Sequence, residues 1–134
     1  MLRFEPIDHP SDIGIRVYGN SLIEIFQNAA SGMFSLMTDP GKVQPREKVK
    51  IEVAGEDYES LLINWLNELI YLEDTRKILF CDFKIQKLSP SRLEALAAGE
   101  KIDLKRHQIF RPIKAATFNQ LQIGPKEAKI VFDV

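Results

Sequence analysis

The scarcity of cysteine and histidine excludes several kinds of site from this chain. It contains one cysteine, Cys81, and two histidines, His9 and His107, so it cannot form an internal disulfide. Three such side chains are also too few for the usual four-ligand structural zinc site. Cys81 lies in the apolar segment ILFCDFKI, which predicts a buried strand thiol rather than a reactive one. We expect each histidine chiefly to order a loop, with ligand or proton carrier as the alternative role.

Motifs for nucleotide binding and nucleophilic catalysis are absent too. The chain has no GxxxxGK[ST] or GxGxxG segment for phosphates and no GxSxG nucleophile elbow. Its 18 basic and 19 acidic residues are scattered and give a formal net charge of −1, so we expect no direct high-affinity binding of nucleic acid. No signal peptide and no apolar run of membrane-spanning length is visible. A cytoplasmic protein without a membrane partner is expected.

The pattern of apolar residues predicts a single α+β domain over residues 1–134. Period-two alternation predicts strands in MLRFEPI, DIGIRVYG, KVKIEVAG, ILFCDFKIQKL, IKAATFNQLQI and EAKIVFDV. Helical spacing predicts two amphipathic helices in NSLIEIFQNAASGMFSLMTD and DYESLLINWLNELIYLEDT, with Ser21 and Asp57 as N-caps. The segment SRLEALAAGE fits helix or strand. Successive strands with short turns favour a largely antiparallel sheet with the two helices packed on it.

One strand carries a more specific prediction. In ILFCDFKIQKL, strict alternation places Leu79, Cys81, Phe83 and Ile85 together on the inward face.

Three aspartates and the chain end are the best candidates for chemistry. Asp12 precedes a predicted strand, Asp39 follows a predicted helix, and Asp133 ends the last strand beside the free carboxylate of Val134. Taken singly, each aspartate fits a turn or a solvated tail. If the last strand pairs near the strand after Asp12, these oxygens converge, and such ligands suit Ca²⁺ or Mg²⁺. Spacing in the sequence leaves both possibilities open.

Six segments in order resemble the archease family. They are HPSDIGIRVYG, AASGMFSLMTD, LLINWLNELIYL, GEKIDLKRH, IKAATF and the terminal FDV, which together extend over essentially the whole chain. Two departures stand out. Phe118 and Asn119 replace the Tyr-His pair that is common in the family, and HPSD replaces the more usual HTAD while keeping the aspartate.

The resemblance implies a non-enzymatic activator of an RtcB-type RNA ligase. Such ligases join RNA ends in tRNA splicing and RNA repair through a histidine–guanylate intermediate made from GTP with Mn²⁺. The implied role is to promote ligase guanylylation and multiple turnover. The family's calcium or other hard-cation site maps onto Asp12, Asp133 and the Val134 carboxylate, with Asp39 and His9 as nearby acidic or partner-contact residues. The resemblance also implies a strand for RLEALAA and an ordered C-terminus.

Two other functions remain open at this stage. A chaperone for an RNA-modifying enzyme such as a methyltransferase, also proposed for this family, would use an exposed apolar patch and tolerate loss of Asp133. A small metal-dependent hydrolase would need an open coordination position and a general base, and the sequence offers no convincing base.

Overall fold

The computed structural model describes residues 2–8 and 12–134, so the expectation for His9 lies outside the described residues. The elements in chain order are β1 (Phe4–Asp8), β2 (Ile13–Tyr18), α1 (Leu22–Met37), a 3₁₀ turn (Pro40–Lys42), β3 (Glu47–Ala54), α2 (Tyr58–Arg76), β4 (Ile78–Ser89), β5 (Arg92–Lys101), β6 (Ala115–Ile123) and β7 (Glu127–Asp133). The ambiguous segment is therefore a strand, β5. Within the described residues, no helix is long and apolar enough to cross a membrane.

The seven strands form two antiparallel sheets. One has the order β1-β2-β7-β6 and the other the order β3-β5-β4. Helix α1 contacts β1, β2 and β4, and α2 contacts β3, β4, β5 and β6, so both helices lie between the sheets. The prediction of an α+β fold with antiparallel strands and two packed helices is confirmed. The division into two sheets was not evident from strand periodicity.

The apolar surface of α1 explains why a second sheet is needed. Its fully buried residues include Ile25, Phe26, Ala30 and Phe34, which point in several directions around the helix axis. A helix that is apolar on more than one side must be covered on more than one side. The helix begins where predicted, since the Ser21 hydroxyl accepts the Glu24 N–H at 3.2 Å.

Helix α2 also follows its sequence signals. The Asp57 carboxylate accepts the Ser60 N–H at 2.8 Å, and the Ser60 hydroxyl accepts the Asp57 N–H at 3.2 Å, which completes a capping box. Trp65 is fully buried, and its indole N–H donates to the Phe26 carbonyl at 3.0 Å. This bond satisfies the one polar atom of a large core side chain and ties α2 to α1.

The face predicted for β4 is partly wrong. A bulge between Phe80 and Asp82 makes Cys81 the extra residue, so the fully buried Phe80 enters the core instead. Phe80 then packs edge-on against Phe34 with ring centroids 5.7 Å apart. Cys81 is only partly buried, and burial raises the pKa of its thiol. Opposite the bulge, a Cβ on Gly99 would overlap the Leu79 carbonyl oxygen, so this position requires glycine.

Candidate functional site

The C-terminal strand β7 is a central strand of the four-stranded sheet. It pairs with β2 through Ile13 and Phe132, and with β6 through Ala115 and Asp133. The Lys114 N–H also donates to the Asp133 carbonyl at 2.8 Å. Backbone pairing with Ala115 and Lys114 therefore holds Asp133 in place, in contrast to the frayed terminus that is usual for a chain end.

The sheet register brings Asp12 to Asp133. The β2–β7 register ends at the pair of Ile13 with Phe132, so Asp12 and Asp133 each lie one residue beyond that pair, at the same end of neighbouring strands. Ile13 and Phe132 pack on the apolar core, so alternation along β7 directs the Asp133 side chain to the outer face. Asp12 is partly buried and Asp133 is exposed.

Asp39 lies at the same end of the molecule. Helix α1 runs back along β2, because Asn28 donates to the Tyr18 carbonyl at 2.7 Å and Gly32 packs close to Ile15. The end of α1 therefore returns to the level at which β2 begins. The exposed Asp39 carboxylate accepts the Gly41 N–H at 3.0 Å and caps the 3₁₀ turn. This is one of the turn roles expected for Asp39 from its sequence. Asp39 lies at the same end of the molecule as Asp12 and Asp133 because α1 runs back along β2.

We call Asp12, Asp133 and the Val134 carboxylate the acidic tip. Its donor set is oxygen alone, which suits a hard cation. Carboxylates that lie close together repel each other, and a divalent cation between them would reduce that repulsion. Within residues 2–8 and 12–134, no group of three His, Cys, Asp or Glu side chains is arranged to hold a metal. The site that the resemblance implies has two aspartate side chains, and its third donor is the Val134 carboxylate rather than a side chain.

The connection between β5 and β6 passes along this end of the molecule. The Thr38 hydroxyl donates to the Gln108 carbonyl at 2.8 Å, and the Phe110 N–H donates to the Met37 carbonyl at 2.8 Å. The connection reaches Asp133 through Lys114. Residues 108–114 thus link the end of α1 to the acidic tip.

A second group of ionisable residues lies inside the protein, around Glu100. The Glu100 carboxylate is 4% exposed and accepts hydrogen bonds from the Gln44 N–H at 2.7 Å and the Arg106 guanidinium at 2.6 Å. Arg46 lies 3.2 Å from it. The Gln44 N–H, followed by the side-chain bonds from Arg106 and His107, lowers the pKa of Glu100 to about 2, although burial opposes this change. We call Glu100, Arg46, Arg106 and His107 the Glu100 cluster.

The environment of His107 determines its tautomer. Its Nδ1 accepts the Asp103 N–H at 2.9 Å, so the ring proton lies on Nε2, which is 3.1 Å from a Glu100 oxygen. The imidazole therefore connects β5 to the start of the β5–β6 connection. His107 orders a loop, as predicted, and Glu100 is the residue that sequence reasoning missed.

The sequence and structure comparisons agree on the family. The model of the Archease protein family matches residues 4–134. The protein archease of Pyrococcus abyssi is 41% identical over 126 residues, which cover 92% of this chain and 89% of that protein. The protein archease of Methanothermobacter thermautotrophicus is 38% identical over 141 aligned positions, covering 100% of both chains. The chain belongs to the archease family.

Solved structures match the fold over nearly the full length. The solution structure of Methanobacterium thermoautotrophicum protein 1598 superposes with a TM-score of 0.80 at 35% identity, covering 98% of this chain and 99% of that one. The crystal structure of an archease and possible chaperone from Thermotoga maritima gives a TM-score of 0.62 at 20% identity, covering 97% and 96%. At 20% identity this second likeness shows the shared fold alone.

The structure shows where two features of the archease resemblance lie. Phe118 and Asn119, which replace the Tyr-His pair, lie in a β6 bulge between Thr117 and Gln122, and Phe118 is 59% exposed. The segment GEKIDLKRH contains Glu100, Arg106 and His107. That GEKIDLKRH is one of the segments that resemble the family was the signal that could have identified the Glu100 cluster. The spacing of residues within the segment does not predict a buried hydrogen-bond network.

Proposed function

We propose that this archease is a non-enzymatic activator of an RtcB-type RNA ligase that acts in the cytoplasm and promotes guanylylation of the ligase. In this proposal the acidic tip holds Ca²⁺ or another hard divalent cation through Asp12, Asp133 and the Val134 carboxylate. The cation would supply positive charge between groups that otherwise repel each other. The residues of the chain order the terminus and present the acidic tip to the ligase, while GTP and RNA remain with the ligase.

The observation that carries this proposal is the register of β2 with β7. Its last pair, Ile13 with Phe132, lies directly next to Asp12 and Asp133, the two aspartates that match the family's metal ligands in sequence, and this supports the proposal. Among the described residues, the carboxylate of Asp133 makes no hydrogen bond or ion pair that would occupy it otherwise.

The test compares the wild type with variants that change one donor each. Asp12→Asn and Asp133→Asn remove a charge at nearly constant shape, and a few glycines added after Val134 displace the terminal carboxylate. Asp82→Asn is the matched control, since Asp82 is an exposed strand aspartate in the other sheet. Calcium binding is measured by calorimetry, and the rate of ligase–GMP formation is measured with the archease at amounts well below the ligase.

We expect the three acidic-tip variants to fold, bind Ca²⁺ at least tenfold more weakly and lose most stimulation of the ligase, because hard cations bind by ligand charge and number. Asp82→Asn should behave as the wild type. Full stimulation by the glycine-extended protein would exclude the terminal carboxylate as a ligand. If Asp133→Asn also stimulated fully, the acidic tip would have no part in activation.

A chaperone for an RNA-modifying enzyme such as a methyltransferase is the second candidate. Phe110 and Phe118 are about half exposed and offer apolar contact surface, which is the feature that such a role needs. This candidate predicts that Asp133→Asn keeps full function and that the protein forms a stable complex without accelerating guanylylation. Protection of an unfolding methyltransferase from aggregation, measured by light scattering, distinguishes the two functions.

A further inference from the structure

A groove of about 450 Å³ lies beside the acidic tip, between the second half of α2 and residues 112–115. Asn67, Ile70, Tyr71 and Asp74 line one side, with the spacing of a single helix face. Lys114 and Ala115 line the other side, and both are tied to Asp133 through the backbone. The groove therefore continues the surface that carries the acidic tip.

The floor of the groove is apolar and its upper edge is aromatic. Ile113 is 3% exposed and Ile70 is 7% exposed, so the floor is built from core residues. The ring of Tyr71 is well exposed at the edge. Asn67 is held in place because it exchanges two hydrogen bonds with the Ala116 backbone, at 2.8 and 3.3 Å. The groove is thus a fixed feature of the packing between α2 and β6.

The charges in the groove are unbalanced. Glu73 and Asp74 contribute −2 and Lys114 contributes +1, which leaves a formal charge of −1. Within the described residues, Glu73 has no hydrogen bond or ion pair, although it is partly buried. Burial, followed by the neighbouring Asp74 charge, raises the pKa of the Glu73 carboxyl. Asp74 lies 4.0 Å from the exposed Lys77 ammonium, a separation at which a surface pair contributes little.

These features are complementary to one kind of side chain. An apolar floor accepts an aliphatic stem, and a planar guanidinium can both stack on a tyrosine ring and bond to carboxylates. Arginine is also enriched among the residues that dominate protein–protein binding. A lysine could use the floor and the charge, but its ammonium lacks the planar surface that would stack on Tyr71.

We propose that this groove receives an arginine side chain of the partner protein, placed on Ile70 and Ile113, stacked on Tyr71 and paired with Glu73. Insofar as the partner is the RNA ligase, this rests on the proposed function. The groove would then orient the archease on the ligase while the acidic tip acts beside it. Pairing would also remove the cost of burying the Glu73 carboxylate without a cation.

The first test needs no ligase. N-acetyl-arginine methylamide is titrated into the full chain while backbone and side-chain NMR signals are followed. We expect millimolar binding that shifts the signals of Tyr71, Glu73 and Ile113 and returns the pKa of Glu73 toward its ordinary value. Glu73→Gln combined with Asp74→Asn should abolish these shifts. Glu59→Gln, an exposed change in the first turn of the same helix, is the control and should leave them intact.

The second test uses the ligase and the same three proteins. We expect the double variant to bind the ligase roughly tenfold more weakly than the wild type or Glu59→Gln, mainly through faster dissociation. Its calcium affinity should be unchanged, because neither substituted residue belongs to the acidic tip. A loss of calcium binding in the double variant would contradict a role separate from the acidic tip.

The outcomes separate the groove from the proposed function. If the double variant bound the ligase as tightly as the wild type, and the wild type stimulated the ligase, the arginine proposal for the groove would be wrong and the activator function would stand. If the ligase neither bound the wild-type archease nor was stimulated by it, the activator function would be wrong. The titration with N-acetyl-arginine methylamide would still test whether the groove binds arginine. No shift with the arginine probe, or equal shifts with N-acetyl-lysine methylamide or N-acetyl-norleucine methylamide, would overturn the arginine assignment.

Discussion

The Glu100 cluster and the acidic tip use carboxylates in opposite ways. Glu100 is buried and receives its hydrogen bonds from groups of the same chain, at 2.6 to 3.1 Å. Asp12 and Asp133 lie next to the last pair of the β2–β7 register, at the same end of the two strands. The first arrangement stabilises the negative charge within the protein, whereas the second brings negative charges together.

This difference separates a structural carboxylate from a functional candidate. A carboxylate whose acceptor positions are filled by protein donors has little capacity left for a ligand. Carboxylates that lie near each other at the surface can bind a cation between them. Because protein donors fill the acceptor positions of Glu100, this carboxylate has a structural role.

The largest expected effect comes from Glu100→Gln. The amide keeps the shape but removes the charge, and its NH₂ group would face the Arg106 guanidinium as a second donor. Arg106 and the buried His107 ring would both lose their bonds to a carboxylate, and charge-assisted hydrogen bonds are the stronger kind, so we expect the largest loss of thermal stability of any substitution discussed here. Thermal unfolding measured by circular dichroism checks this. Glu94→Gln on the same strand is the control, because the ion-pair partners of Glu94, Arg92 and Lys87, are exposed and lie 3.9 and 3.8 Å away, so these pairs contribute little.

The same pair of proteins tests the pKa of Glu100. Its folded pKa of about 2 lies below the ordinary 4.5, so its stabilisation is complete above pH 4.5 and is lost as pH falls toward 2. The difference in Tm between the wild type and Glu100→Gln should be largest near neutral pH and shrink across that window. A difference that stays constant down to pH 2 would contradict the lowered pKa.

A smaller effect is expected for Thr38→Val, which lies between the two regions. The Thr38 side chain is buried, and the change leaves the Gln108 carbonyl without its hydroxyl donor. An unmade hydrogen bond of this kind costs about 1 to 2 kcal/mol of unfolding free energy. Urea unfolding measures it. Thr75→Val is the control, since it removes a similar hydroxyl bond to the Tyr71 carbonyl at an exposed position, where water can replace it.

The smallest effect, of opposite sign, is expected for Asp133→Asn in buffer with chelator. Removing one of two like charges at the same end of neighbouring strands should raise stability by roughly a few tenths of a kcal/mol. With Ca²⁺ in excess the order should reverse, because the wild type then gains binding free energy that the variant lacks. If Ca²⁺ stabilised both proteins equally, Asp133 would not be a ligand.

The sequence by itself determined most of the local structure. Both helices begin at the predicted caps, Ser21 and Asp57, because capping depends on residues three positions apart. The inward faces of β2 and β7 follow strict alternation, since neither strand contains a bulge. The family resemblance resolved β5 as a strand where alanine and leucine content alone could not. These features depend on neighbours in the chain, which a sequence pattern records directly.

The tertiary structure decided what depends on neighbours far apart in the chain. A bulge places Phe80 in the core where alternation predicted Cys81. The bulge depends on how β4 pairs with β5 around Gly99, which the sequence of β4 does not record. The second sheet arose because α1 needed cover on a further side. Asp12 and Asp133 come to the same end of the sheet only because β7 pairs with β2 across more than a hundred residues. The Glu100 cluster joins three separate segments, and no periodicity in one segment reports the donors that another supplies.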